Sequence, residues 1–536
     1  MKRILFLFSL IPFFTIAQNN PPEISNVQAT ANLSNQTISV TFDLSDPDGD
    51  LMTVNVFLSA DDGKSHVAHL VSATGDIGAN IAAGTGKAVT LSYNNDSLLA
   101  SAQGNIQANF SIKVVATDGH SVPMQEIISQ VDSLSVYNDM LWIAQPRNYV
   151  SAPAGIMAIK DSLDTRFTAY GLQTDRLSFT WAGHASENIV GRHPGVGNER
   201  NTIIIDGHFD AVSGSPGADD NGTAVAAVMA ASRILSQYQF NHTLKFIGFD
   251  KEENGLQGAL NYINNQIPHY EDISAVLNSE MIGYYSEDTN SQTVPFGFDL
   301  LFPATVDSIV ASGYQGKWLF VVGNATSNQL VSTFNTVARA NIPNVNTLML
   351  NVPGNGQIAP DLRRSDHAPF WDAGYQALML TDGAEFRNAN YHTPGDSLGT
   401  LNIPFLVRNI QAVIATAVHL AQPVYADSKV ASVGQLIANV PFSISEELEM
   451  QVDVYPNPST HMMYFKFNQA IGKIEIAITD LQGRVLFEEK INLEGNTQHS
   501  IDLHDNHLSA GMYVLSVRSE NGMFSRKFVV SEGHTH

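Results

Sequence analysis

Cysteine is missing altogether from the 536 residues of this chain. That absence excludes disulfide frameworks, thiolate metal sites and a lipid-anchored cysteine, so any metal is left to His, Asp and Glu. Charge is also scarce, at 15% of residues, and the basic sign is the scarcer one. There are 28 Lys and Arg against 52 Asp and Glu, a formal net charge of −24. A surface with that balance repels nucleic acid and anionic membranes, so neither is expected as a partner. Long apolar runs are missing as well. The run at residues 4–16, "ILFLFSLIPFFTI", is too short to span a bilayer, and no later stretch reads as a membrane helix. It follows Lys2 and Arg3 and is closed by the small residues Thr15 and Ala17, the pattern of an export signal over residues 1–17.

At this length one hydrophobic core is not enough, and the sequence changes texture several times. Residues 21–136 alternate polar and apolar in segments such as "TISVTFDLS", "LMTVNVFLS" and "NFSIKVVATD", with Gly, Asn and Asp turns between them. That pattern predicts an immunoglobulin-like or fibronectin-like β-sandwich. Its "DPDGD" turn (Asp46, Asp48, Asp50) offers carboxylates to calcium. The other ligands of a calcium loop are absent, which favours a plain Asp/Gly turn. Between 137 and 426 the apolar runs are continuous ("NTIIIDG", "TLKFIGFD", "ISAVLNSE", "YQALMLTDG") and interleave with helical stretches such as "GTAVAAVMAASRILSQY". Continuous strands separated by helices predict an open α/β sheet covered on both faces, with polar site residues at the strand C-termini. Residues 427–450 are a less patterned connector. The chain returns to β texture over 451–532, so the expected architecture is a central α/β domain flanked by two β-sandwich-like domains.

The last part carries "VYPNP", "DLQGRV", "LSAGMYVL" and "KFVV". In these elements it resembles the C-terminal sorting domain of the type IX secretion system. The resemblance implies that this machinery is a partner and that the destination is the cell surface or the outside.

In the central region, chemistry-bearing residues gather at strand ends. The run "TIIIDGHFD" delivers His208 and Asp210, a pair in which one residue can ligate a metal and the other orient it. "PGADDNG" sets Asp219 and Asp220 before a helix. Adjacent carboxylates there are costly to desolvate unless a cation or the helix dipole offsets them, although an ordinary N-cap at Asp220 or Asn221 would also account for them. "FDKEENG" brings Glu252 and Glu253, "NSEMIG" brings Glu280, and "NYHTPGD" brings Tyr391, His392 and Asp396. Together these form a cysteine-free ligand set suited to zinc.

The order "GHFDAVSGSPGADDNGT … EENGLQG … NSEMIG … NYHTPGD" is similar to the di-zinc exopeptidase family that includes bacterial leucine aminopeptidases and glutamate carboxypeptidase II. The resemblance implies two zinc ions per chain and peptide substrates. It implies His208 and Glu280 on the first ion, Glu253 and His392 on the second, and Asp220 bridging them. It further implies Glu252 as general base and acid and Tyr391 as stabiliser of the oxyanion. Many members carry Asp where this chain has Glu280. Asp210 and Asp396 are read as carboxylates that orient the histidines, and Asp366 and His367 of "RRSDHAPFWDAG" as residues behind the ligands or beside the substrate. Arg363, Arg364 and Arg387 keep open the binding of a substrate carboxylate. The expected function is a secreted zinc aminopeptidase. A one-zinc glutaminyl cyclase, a carboxypeptidase of the same family and an inactive receptor-like ectodomain are the alternatives.

Overall fold

The computed structural model describes residues 19–438, apart from 33–34, 36, 60–62, 70–72, 93–105 and 269. Between 452 and 530 it describes the strands together with Leu503 and Leu508. The expected export signal lies outside the described residues. Two compact units are present, the first containing both the leading β domain and the α/β domain.

In the leading domain the alternation does what the sequence suggests. Along Thr37–Ser45, Ile38, Val40, Phe42 and Leu44 are buried while their neighbours face out. This strand pairs antiparallel with Glu23–Asn32 and with Gly84–Ser92, and a second sheet is built around Met52–Ser59 and Ile106–Thr117. Ala426–Ala438 joins that second sheet beside Ile106–Thr117, so the first part of the expected connector is strand. In the "DPDGD" turn, Asp46 Oδ1 accepts the backbone N–H of Asp48 at 2.9 Å and of Asp50 at 3.0 Å, the bonding of an Asp turn.

The α/β domain opens with helices α1 (Ser133–Ile143) and α2 (Pro153–Ala169). Its sheet consists of β1 (Gln173–Trp181), β2 (His184–His193), β3 (Asn198–His208), β4 (His242–Phe249), β5 (Asp272–Ser279), β6 (Leu319–Gly323), β7 (Thr347–Asn351) and β8 (Ala377–Thr381). The strand order is β7-β6-β8-β5-β3-β4-β2-β1. β3 is parallel to β4 and β5, and β5 is parallel to β8, so these four strands end at one edge. β1, β2 and the β6–β8 pairing are antiparallel, which makes the sheet mixed.

Consecutive apolar residues in these strands serve two cores, because side chains in a strand alternate between faces. Ile203, Ile205, Leu244, Phe246 and Leu277 pack on one side, with helices α1, α2, α3 (Thr223–Leu235), α4 (Asn328–Asn341) and α5 (Ile403–Ala421). Ile204, Ile247, Phe249 and Val276 pack on the other side with Tyr262, Phe298, Phe370 and Trp371. Helix α5 is long and apolar enough to cross a membrane by length and composition, contrary to the sequence expectation, but two thirds of its apolar window is buried inside this core.

The two domains of the first unit share a buried ion network. Glu199 at the start of β3 accepts from Lys113 of the leading domain and from Arg192 at 2.9 Å, while also accepting the His66 N–H at 3.0 Å. All three charged side chains are under 8% exposed. Removing the one anion strands two buried cations, so Glu199→Ala should destabilise the unit by about 3–5 kcal/mol in urea denaturation. A loss below ~1 kcal/mol would mean that the network is solvated rather than buried.

The second unit has antiparallel sheets of three and four strands that share one core of Met463, Phe465, Ile474, Ile476, Ile478, Leu515, Val517 and Phe528.

Candidate metal centre

Parallel register carries the ligand candidates to one place. His208 pairs with Phe249 across β3 and β4, so the loop after β4 that holds Glu252 and Glu253 starts level with His208. Ser279 ends β5 beside Leu380, and the Glu280 N–H is bonded to the Leu380 carbonyl at 2.8 Å. The approach of the next segment is close. A Cβ on Gly207 would stand 2.4 Å from the Ala224 Cβ, so glycine there lets the Asp219–Asp220 turn pack against the end of β3. Gly217, with φ +60°, begins that turn, and a Cβ there would meet the Asp220 carbonyl oxygen at 2.6 Å.

Six of the predicted side chains meet. His208 Nε2 lies 3.5 Å from Asp220 Oδ1, 3.3 Å from Glu280 Oε2 and 3.8 Å from Glu252 Oε2. His392 Nε2 lies 3.0 Å from Asp220 Oδ2 and 3.3 Å from Glu253 Oε2. Two triads result, His208–Asp220–Glu280 and Asp220–Glu253–His392, each with its ligand atoms within 4.8 Å of one another. Asp220 belongs to both and turns one oxygen to each. Each triad supplies three nitrogen or oxygen donors, the number that leaves a position open on a catalytic ion. Only His392 is substantially open to solvent, at 37% exposure of its side chain.

The electrostatics favour a cation. His208 Nε2 and Glu253 Oε1 are buried without a hydrogen-bond partner. Burial pushes the carboxyls of Asp220, Glu280 and Glu252 above their usual range, and for Glu252 the charges of Glu280, Asp366 and Glu253 add to it against the pull of His208. Burial also disfavours charge on the imidazoles, yet Glu252 and Glu280 hold His208 well above its ordinary value. Asp220 and Glu253 likewise outweigh burial at His392 and hold it at about 10. A cluster in which both residue types bind protons so tightly lacks positive charge, and a divalent ion on these donors supplies it.

The surrounding residues divide differently from the sequence expectation. Neither Asp220 nor Asn221 caps α3, whose N-cap is Gly222. Asn221 instead donates to Glu280 Oε2 and to the Ser279 carbonyl, both at 3.0 Å, and Ser365 Oγ donates to the same Glu280 oxygen at 2.7 Å. Asp219 turns away, accepting from the Gly283 N–H and from Asn388. Asp210 stands against His208 as expected, its Oδ1 3.4 Å from Nδ1, and also holds the loop after β4, which the sequence did not suggest. Its carbonyl lies 3.1 Å from His208 Nδ1, while its carboxylate accepts the N–H groups of Glu252 and Glu253. Asp396 bonds to neither histidine; its carboxylate accepts the N–H groups of Asp219 and Asp220 at 2.9 and 3.0 Å, fixing the turn rather than an imidazole. Asp366 is buried with both oxygens unpartnered, and burial drives its carboxyl well above the usual range.

His367 belongs to the core. Its ring packs edge-on to Trp371 at 4.4 Å and its Nε2 lies 3.0 Å from the Leu362 carbonyl. Burial depresses it to about 3. In the unfolded chain a histidine takes up its proton near pH 6.5, so below that pH the unfolded state binds more protons and stability falls with acidification. Between pH 7 and pH 5 this group should cost about 2 kcal/mol. Urea melts at the two pH values check this: His367→Asn should lose less stability on acidification than the wild type by that amount, and equal losses would place the pH dependence elsewhere.

Of the arginines named from sequence, Arg363 is spent on the Asn355 carbonyl and Asp372, and buried Arg387 on Gln292 and the carbonyls of Tyr284 and Trp318. Only Arg364 reaches the site. Arg147 was not legible in advance, since nothing in "QPRNY" points to it. It is fully buried and donates only to carbonyls, among them Phe209, Pro216 and Gly217, so it clamps the segments that carry His208 and Asp220.

Comparison with known proteins adds two family matches. Residues 188–417 match Peptidase family M28, and residues 453–531 match the secretion system C-terminal sorting domain. The chain is 27% identical over 227 residues to the uncharacterized protein YfbL of Escherichia coli (strain K12), covering 40% of this chain and 65% of that one. It is 26% identical over 338 residues to leupeptin-inactivating enzyme 1 of Streptomyces exfoliatus, covering 59% and 66%. It is 26% identical over 229 residues to aminopeptidase YwaD of Bacillus subtilis (strain 168), covering 41% of each. The matches thus span no more than 66% of the length of these relatives.

Proposed function

From a central domain of peptidase family M28 and a tail that marks the chain for type IX secretion, we propose a secreted zinc aminopeptidase that removes N-terminal residues from peptides. The observation that carries this reading is the pair of triads joined through Asp220, with Glu252 beside them and outside both. His208 and Glu280 would hold one zinc ion, Glu253 and His392 the other, and Asp220 both. Imidazole and carboxylate donors with no thiolate suit zinc, and the names of relatives such as aminopeptidase YwaD agree with the activity.

When bound, zinc acidifies water towards a pKa of about 7 and polarises a carbonyl. The residues of the chain do the rest. Glu252, its backbone held by Asp210, takes the proton of the attacking water and passes it to the leaving amine. The Tyr391 phenol donates to the oxygen on which negative charge grows. Asn221 and Ser365 hold the Glu280 carboxylate in its orientation.

Metal analysis of the purified chain, together with a screen of N-terminally free and N-acetylated peptides, tests the reading. Two zinc ions per chain and cleavage restricted to free N-termini are expected. One zinc with cyclisation of N-terminal glutamine would replace it by the cyclase, and residues released from the C-terminus would replace it by the carboxypeptidase.

A further inference from the structure

Tyr391 is held from two sides. Its ring stacks on His392, with centroids 3.8 Å apart and planes 18° from parallel, which ties the phenol to a candidate zinc ligand. At the other end the phenol oxygen accepts from Arg364 Nη2 at 2.9 Å, its one side-chain hydrogen bond among the described residues. Arg364 is steadied in turn by Glu385, to which its Nη1 donates. All three line a pocket that Glu280 also borders.

The chemistry of this pair is directional. A guanidinium has five N–H donors and no acceptor, whereas a phenol has one hydrogen and oxygen lone pairs. A tyrosine that receives a hydrogen bond from arginine cannot return its own hydrogen to the same partner. The hydrogen is therefore left for another acceptor in the cavity. The positive charge beside the oxygen also polarises the O–H bond and makes it a stronger donor. As an isolated ion pair the Arg364–Glu385 contact is worth little, since Arg364 is 45% exposed and Glu385 33%. Its consequence is geometric: it fixes where the guanidinium can stand.

We propose that Arg364 is a positioning residue for Tyr391, donating to the phenol oxygen so that the phenol hydrogen is kept for the oxygen of the scissile carbonyl. The inference rests on the peptidase reading above and adds to it a residue that touches neither metal nor reacting atoms. It also assigns Arg364 away from the substrate carboxylate, the role left open for it by sequence.

The test is a double-mutant cycle on the zinc-loaded chain with an aminoacyl chromogenic substrate. Tyr391→Phe should lower kcat by about 100-fold, the loss typical of one oxyanion donor. Arg364→Met should lower kcat by roughly tenfold with KM within about twofold, and the double variant should be no slower than Tyr391→Phe alone, because the arginine acts only through the phenol. Arg364→Lys, which still offers a donor, should recover part of the loss. An unchanged kcat in Arg364→Met, or losses that multiply in the double variant, would overturn the proposal. So would a defect confined to KM for peptides with a free terminal carboxylate, since that marks an anion anchor. If the wild-type chain cleaves nothing, the peptidase reading fails by itself, and a crystal structure of the zinc-loaded chain then judges the placement. A phenol oxygen bonded to Arg364 would keep it, and a phenol turned elsewhere would end it.

Discussion

Glu252→Gln is expected to lower kcat for an aminoacyl chromogenic substrate by about 10³-fold while leaving two zinc ions bound and the thermal midpoint unchanged. The size follows from what a positioned general base contributes, ~10²–10⁴-fold, and glutamine cannot accept a proton in the working range. Retention of metal follows from the geometry. Glu252 lies outside both triads, 3.8 Å from His208 Nε2, and its backbone is fixed by Asp210 through an N–H that the substitution leaves in place. The amide nearly matches the carboxylate in shape, so no cavity opens. Steady-state kinetics and metal analysis on the same preparation check both halves. Turnover within a few-fold of wild type would remove Glu252 from proton transfer. Loss of zinc together with activity would make it a ligand instead.

Asp220→Asn should have the largest effect on metal content. One oxygen of Asp220 faces His208 and the other faces His392, so the substitution weakens both triads at once. Both ions should be lost on dialysis, whereas His392→Ala, which touches one triad, should keep one ion per chain. Loss of metal also carries a stability cost, because ions that bind only the folded state stabilise it by mass action. A site held at a thousand times its Kd contributes about 4 kcal/mol, and a shift of roughly 10 °C in Tm on chelation is expected. The shift should be smaller in His392→Ala and nearly absent in Asp220→Asn. If His392→Ala and Asp220→Asn retained equal zinc, Asp220 would not be shared between two ions. Asp220→Asn is also protected from the usual objection that a ligand variant merely unfolds. Removing one negative charge from a buried carboxylate cluster relieves repulsion in the metal-free chain.

Much of this was legible in the sequence because it depends on local rules. Alternation in "TISVTFDLS" and continuity in "TIIID" reflect whether a strand has one buried face or two, and the two cores flanking Ile203, Ile204 and Ile205 follow from that. His208, Glu252, Glu253 and Glu280 could be assigned to one edge because each stands at or shortly after the end of an apolar strand, and parallel neighbours end together. The connector was read less well. Residues 427–438 look unpatterned, yet they belong to a strand that joins a sheet about 300 positions earlier in the chain, and no periodicity within a segment reports so distant a partner.

Residue type and position thus determined which side chains can ligate and on which edge they stand, since one strand and its loop are enough to fix that. The three-dimensional path of the loops decided between equivalent carboxylates: Asp220 faces the imidazoles while Asp219 faces Gly283 and Asn388, and Asp396 secures the backbone of both. It also withdrew His367 into the core and brought Arg364 to Tyr391. These outcomes depend on hydrogen bonds between segments as much as 177 positions apart. Their energies are set by which partners the folded chain brings within 3 Å, and that distance is not a property of any stretch of sequence.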